Sequence, residues 1–191
     1  MKTIYFTVIF CLFFLFSNSQ NENSKIVQDF IEHFNKKDSI ATLNTLHKNF
    51  TEYWNTLKVY ENKSDYSNYY SWSKVMQDFE EIEIVSNTKN KIVVNSIYYS
   101  DLDKLLGKMP YKSKKTFIIS KGKILKIISS KNKGYDSYQN KRRSAYIKFK
   151  NWLSRNHDLK RNDFKMNRKD ALKMRKIVFE YLAKDEIVER D

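Results

Sequence analysis

The chain has one cysteine, one proline and three glycines in 191 residues. Each scarcity excludes something. Cys11 sits inside an apolar opening run, so the chain left after removal of that run has no disulfide, no cysteine nucleophile and no thiolate metal ligand. Gly107, Gly122 and Gly134 stand too far apart to form a phosphate-cradling glycine loop. The Gly-x-Ser-x-Gly nucleophile elbow of serine hydrolases is missing as well. So few glycines and prolines argue against a disordered linker protein. The three histidines, His33, His47 and His157, show no i, i+4 pairing, so no zinc-type metal site and no cofactor are expected.

What is present begins with Met1-Lys2, followed by Ile4 to Phe16 almost without a polar residue. A positive start, a short apolar stretch and small residues at its end form a secretory signal peptide. Ser17 and Ser19 satisfy the small-x-small rule, so residues 1–19 are expected to be cut before Gln20, leaving a periplasmic or extracellular protein. The run is shorter than the ~20 apolar residues of a comfortable membrane span; an uncleaved anchor is the main alternative. Lipidation of Cys11 is disfavoured, because bulky Phe10 stands where a small residue is needed. Export without disulfides points to a bacterial envelope. The Asn-x-Ser/Thr triplets at Asn49 and Asn62 matter only in a glycosylating host.

Residues 20–191 are one domain's worth of chain, long enough to bury a core. The formal charge is +14, and Lys2 is the only charge in the leader. A basic surface favours polyanions such as acidic envelope polymers or lipid head groups. The lysines are nevertheless spread along the whole chain, and the densest cluster, Lys141-Arg142-Arg143, is short. Solvated faces account for most of them, and no specific nucleic acid is expected. Aromatics at 15% suit a packed domain or a wide pocket.

Ser24 can cap a first helix whose apolar stripe is Val27, Phe30, Ile31 and Phe34. Asp38 or Ser39 can cap a second, antiparallel to the first, with the stripe Ile40, Leu43, His47 and Phe50. Thr51 to Tyr60 reads as extended chain, 62–70 as a loop, and 71–79 as a short helix carrying Trp72, Val75, Met76 and Phe79. Ile82 to Val85, Ile92 to Tyr99, Thr116 to Ser120 and Lys123 to Ser129 read as strands, the last two joined by the tight turn Lys121-Gly122. Consecutive strands without helical crossovers are expected to run antiparallel. Residues 131–140 read as a linker, Lys141 to His157 as an amphipathic helix, and Asn167 with Asp170 as the cap of a last helix.

Two helices, a third short helix and then a curved antiparallel sheet is an element order that resembles the NTF2-like (SnoaL-like) superfamily. Tyr70-Ser-Trp-Ser-Lys, the strand pair Ile82 to Tyr99, Ser100-Asp-Leu-Asp-Lys-Leu-Leu-Gly and Phe117-Ile-Ile-Ser-Lys-Gly-Lys-Ile look like stretches of secreted bacterial NTF2-like proteins, and Trp152-Leu-Ser-Arg-Asn-His like the helix that follows the domain there. The resemblance covers roughly residues 24–184. It implies an α+β cone, a curved sheet wrapped on N-terminal helices around a pocket, over 20–130, with a linker at 131–140 and a C-terminal helical extension over 141–191. One such scaffold hosts isomerases, dehydratases, cyclases and plain binding modules.

Isomerases of that superfamily carry a general-base aspartate just after the second helix; the resemblance places Trp54 there, with Glu52 as the nearest substitute. Proton abstraction needs a carboxylate in an apolar pocket. His47 reads as an acid/base or ligand contact, or as a satisfied core histidine. Asp101 and Asp103 read as an acid/base pair or, for Asp101, as a helix cap. Trp54, Trp72 and Tyr99 read as pocket wall for a ring-shaped ligand, or as core. The expected pocket residues are therefore His47, Glu52, Trp54, Trp72, Tyr99 and Asp101, with no catalytic residue assigned. The leading expectation is a secreted, non-enzymatic module that binds a small apolar ligand or a protein partner, with a homodimer through the open sheet face. The alternatives are an isomerase or lyase using His47 with Glu52 or Asp101, and a binder of anionic envelope polymers or lipids.

Overall fold

The computed structural model describes residues 22–188, with side chains through residue 183. The expected leader 1–19, the cleavage site before Gln20 and Cys11 lie outside the described residues. The elements are α1 (22–35), α2 (Ser39–Thr45), β1 (Leu46–Trp54), β2 (Leu57–Tyr60), α3 (Lys63–Val75), β3 (Phe79–Thr88), β4 (Lys91–Tyr99), α4 (Asp101–Leu105), β5 (Tyr111–Ser120), β6 (Lys123–Ser130), α5 (Tyr135–His157) and α6 (Arg168–Val188). The six strands form one sheet in the order β2-β1-β6-β5-β4-β3.

Chain contacts divide the molecule into two compact units. The first holds the chain up to Lys63 with Ile82–Ser96 and Lys114–Ser130; the second holds Ser64–Glu81, Ile97–Ser113 and the chain from Lys131 onward.

In the first unit the α1 stripe is buried as its spacing predicts: Val27, Phe30, Ile31 and Phe34 all lie in the core, and the Phe30 and Phe117 rings meet edge-on at 6.1 Å. Asp38 caps α2 by accepting from the Ala41 N–H at 2.9 Å, while the Thr42 hydroxyl donates back to the Asp38 carbonyl at 2.6 Å. The β5–β6 turn places Lys121 at φ 51° and Gly122 at φ 69°. Two consecutive left-handed residues match the twist of a hairpin, and glycine takes the second without a Cβ penalty.

Two expectations fail in this unit. The second helix ends at Thr45, and Leu46 to Phe50, with His47, belong to β1. Residues four apart share a face on a strand as well as on a helix, so buried Leu46 and Phe50 satisfy both spacings. The sheet is also mixed rather than wholly antiparallel, because β1 runs parallel to β6, with Glu52 opposite Ile127 and Trp54 opposite Ser129. These strands lie far apart in the chain, so no short turn forces them antiparallel.

In the second unit, α3 begins at Lys63, inside the stretch expected to be a loop, and ends at Val75, so Phe79 opens β3. Its buried face is partly tyrosine, with Tyr66, Tyr70 and Ser73 spaced at i, i+4, i+7. The expected linker is helical from Tyr135. Phe149 and Leu153 of α5, Phe164, and Ala171, Met174, Ile177, Val178 and Tyr181 of α6 form one core cluster with Trp72 and Val75 of α3, Met76 just after it, and Leu106. The cap of α6 is as expected at its centre: Asn167 Oδ1 accepts from the Asp170 N–H at 2.9 Å. The Asp170 carboxylate turns instead to the Lys165 N–H at 2.7 Å. Among the described residues no helix is long and apolar enough to cross a membrane.

Candidate functional site

In the second unit the chain leaves β4 at Tyr99 and turns at once into α4. The Asp101 N–H donates to the Met76 carbonyl at 2.9 Å, which pins this junction to the end of α3. Helix α4 lasts five residues and stops on Gly107, whose φ of 65° is left-handed. The reversal brings the Lys108 N–H to the Asp103 carbonyl at 2.7 Å and returns the Lys108 side chain over the helix it follows. A cleft of about 290 Å³ opens beside this turn, lined by Gln77, Tyr99, Ser100, Asp101, Asp103, Lys104, Lys108 and Pro110.

Charge in the cleft wall is arranged in pairs. Asp103 accepts from two cations, the Arg142 guanidinium at Oδ2 and the Lys108 ammonium at Oδ1, each at 2.5 Å. Arg142 also donates to the Met109 carbonyl and lies over the Tyr111 ring, 5.3 Å from its centroid. Asp101 faces Arg175 at 3.4 Å, and that guanidinium donates in turn to the Val75 carbonyl at 2.6 Å. The Tyr99 hydroxyl donates to Glu81 at 3.0 Å. Burial pushes the Lys108 ammonium below the ordinary lysine value, and its pairing with Asp103 only partly offsets this.

Nearby in the same unit, Tyr98 donates to Asp78 and sits 2.7 Å from the Tyr69 hydroxyl. With its own proton given to Asp78, Tyr98 accepts from Tyr69, so both phenolic hydrogens are spent within the network. Burial, with Tyr69 and Asp78 beside it, raises Tyr98 well above the ordinary phenol value, and burial with the Tyr135 hydroxyl bond raises Tyr111. Unfolded tyrosines ionise near pH 10.0, whereas these keep their protons in the folded protein. Their contribution to stability is therefore complete below pH 10 and is lost as pH rises through the higher folded values. Lys108 acts in the opposite sense below its unfolded value of 10.5, where rising pH removes its burial penalty. We expect stability to fall above pH 10, with a late, cooperative rise in phenolate absorbance that coincides with loss of circular dichroism. Non-cooperative ionisation of every tyrosine near pH 10 would contradict the buried network.

Of the six expected pocket residues, Tyr99 and Asp101 line the cleft together. Trp72, 3% exposed, belongs to the core of the same unit, where the Arg161 guanidinium covers its ring at 5.0 Å. His47, Glu52 and Trp54 all lie on β1 of the first unit. There the His47 Nδ1 accepts from the Asn49 N–H at 3.1 Å. Asp103 stands two residues after Asp101 in the sequence, whereas nothing local separates Lys108 from the other lysines or Arg142 from the flanking Lys141 and Arg143. Among the described residues no three His, Cys, Asp or Glu side chains converge to hold a metal ion.

No protein-family model matches the sequence, and no curated protein is similar to it. Solved structures are. One is the epoxide hydrolase/cyclase-like enzyme SalBIII, which acts in pyran ring formation in the polyether salinomycin: 14% identity, 60% of this chain and 94% of that one covered, TM-score 0.50. Another is an NTF2-like protein of unknown function from Cytophaga hutchinsonii, at 18% identity, covering 56% and 87%, TM-score 0.47. A third is a putative polyketide cyclase from Xanthomonas campestris pv. campestris, at 13% identity, covering 64% and 98%, TM-score 0.45. Identities this low carry the fold alone. The helical start, the mixed six-stranded sheet and the C-terminal helix together give this chain an α+β fold, which it shares with SalBIII.

Proposed function

We propose that this protein is an exported ligand-binding module without catalytic activity, and that the cleft beside α4 holds a small molecule with an apolar body. The observation that carries this reading is the pairing of charge. A general base needs a carboxylate held away from cations, so that it can take a proton near neutral pH. In this cleft Asp103 is bound by two cations and Asp101 faces a third, while Tyr99 is bound to Glu81. Such groups orient a ligand; they do not abstract its protons. At about 290 Å³ the cleft lies at the small end of ligand sites, which run from ~300 Å³ upward.

The test is a fragment screen by ligand-observed NMR on residues 20–191. The wild type is expected to bind small ring compounds reversibly and unchanged. Ser100→Phe, which fills the cleft from its wall, is expected to weaken that binding at least tenfold with its circular dichroism spectrum unaltered. Undiminished binding in Ser100→Phe would remove the cleft from consideration. Turnover of a bound ring ketone that disappears in Asp101→Asn or Glu52→Gln would establish the enzyme reading instead.

A further inference from the structure

We propose that the cations behind α4 form an oxyanion site, and that the ligand of the cleft carries a carboxylate or phosphate head. This rests on the reading that the cleft holds a ligand, and adds the chemical class. The first observation is a count of charge. Arg142 and Lys108 converge on the two oxygens of one carboxylate, Asp103. Arg161 adds further positive potential at Lys108. Its guanidinium lies on the Trp72 ring and donates to the Met166 sulfur at 3.2 Å, and no carboxylate pairs with it among the described residues. Two cations thus share one carboxylate in a poorly solvated place, with a third adding to the positive potential, and uncompensated charge there is costly.

The second observation is a surplus of donors. Tyr138, Arg142 and Tyr146 recur at i, i+4, i+8, so one face of α5 carries all three. The hydroxyls of Tyr138 and Tyr146 are buried with no hydrogen-bond partner among the described residues. Both tyrosines lie within electrostatic reach of Asp103. Buried polar groups are nearly always paired, and two orphaned hydroxyls beside one charge cluster call for a missing acceptor. The third observation is access. Lys108 and Asp103 form part of the cleft wall, and the Lys108 ammonium sits 4.8 Å above the Tyr146 ring. An oxyanion entering from the cleft would accept from Lys108, which offsets the charge and brings the anion beside Tyr146, with its apolar body left against Tyr99 and Pro110.

Three probes of one shape test this by calorimetry at low salt: phenylacetate, phenyl phosphate and neutral 2-phenylethanol. The two anions are expected to bind at least tenfold more tightly than the alcohol, and the tighter of them identifies the head group. Lys108→Met should erase the difference while the alcohol still binds. Tyr146→Phe removes a single oxygen and should weaken the anions severalfold and the alcohol not at all, which preserves the test if Lys108→Met does not fold. Equal affinity for all three probes, or a preference that survives in Tyr146→Phe and Lys108→Met alike, overturns the oxyanion site and leaves the ligand-binding cleft standing. Failure of every probe to bind overturns both.

Discussion

Phe149→Ala is expected to destabilise the protein by about 3–5 kcal/mol, the range for removing a fully buried aromatic ring. Phe149 is 1% exposed and lies at the centre of an aromatic group. Tyr181 meets it edge-on at 5.2 Å, Tyr146 is tilted against it at 5.7 Å and Trp152 stacks at 6.3 Å. Edge-to-face and offset rings gain beyond their buried area, so the deletion loses several favourable contacts as well as transfer free energy. The helix has little else to hold it. Helix α5 is 23 residues long, yet its only buried residues are Arg142, Phe149 and Leu153. Isolated helices are marginal in water, so α5 depends on this anchorage. Urea melts followed by circular dichroism measure the loss. Ile147→Ala, two residues away and 49% exposed, is expected to stay within about 0.5 kcal/mol of wild type. A loss below about 1 kcal/mol for Phe149→Ala would mean that α5 is not an integral part of the core of its unit.

The same helix shows why part of the architecture was legible in the sequence and part was not. The α1 stripe, the Asn167–Asp170 cap and the Lys121-Gly122 hairpin are local signals: each needs only a few neighbouring residues and the backbone geometry they favour. The starts of α3 and α5 were missed for a shared reason. Their inward faces are built from Tyr66 and Tyr70 in one, and from Tyr138, Arg142 and Tyr146 in the other, residues that score as polar although their carbon surfaces pack inward. Leu46 to Phe50 was misread because helix and strand both align residues four apart. The parallel β1–β6 pairing is a tertiary choice with no local mark. The site divides in the same way. Tyr99, read as an aromatic wall, and Asp101, read as the acidic residue after a strand end, line one cleft because that junction is local. Arg142 was hidden within Lys141-Arg142-Arg143, where the flanking residues are exposed and only Arg142 is buried, at 6%. Composition treats the three alike; the position of each on the helix separates them.

Asp103 carries the second large expectation. Asp103→Ala leaves Arg142 and Lys108 facing each other without the carboxylate that neutralises them, at a place where the side chains of Asp103 and Arg142 are only 12% and 8% exposed. Removing one partner of a buried ion pair costs about 3–5 kcal/mol, because the remaining charge stays buried and uncompensated. The cost should therefore come from the orphaned cation and not from a favourable energy of the pair. A second variant separates these accounts. The double substitution Asp103→Leu with Arg142→Met replaces that pair by apolar side chains of similar size and leaves Lys108 as the one unpaired cation, so it is expected to recover the part of the loss that belongs to Arg142. Asp136, which pairs with Lys131 at 2.9 Å near the start of the same helix, supplies the contrast: its side chain is 81% exposed, and Asp136→Ala should shift stability by about 0.5 kcal/mol or less. Chemical denaturation of the wild type and the three variants gives the comparison directly. If the double variant were as unstable as Asp103→Ala, the loss would belong to the packing around α4 and β5. If Asp103→Ala were harmless, Arg142 and Lys108 would have to reach solvent without it, and the cleft wall would lack the concentrated positive charge on which anion recognition depends.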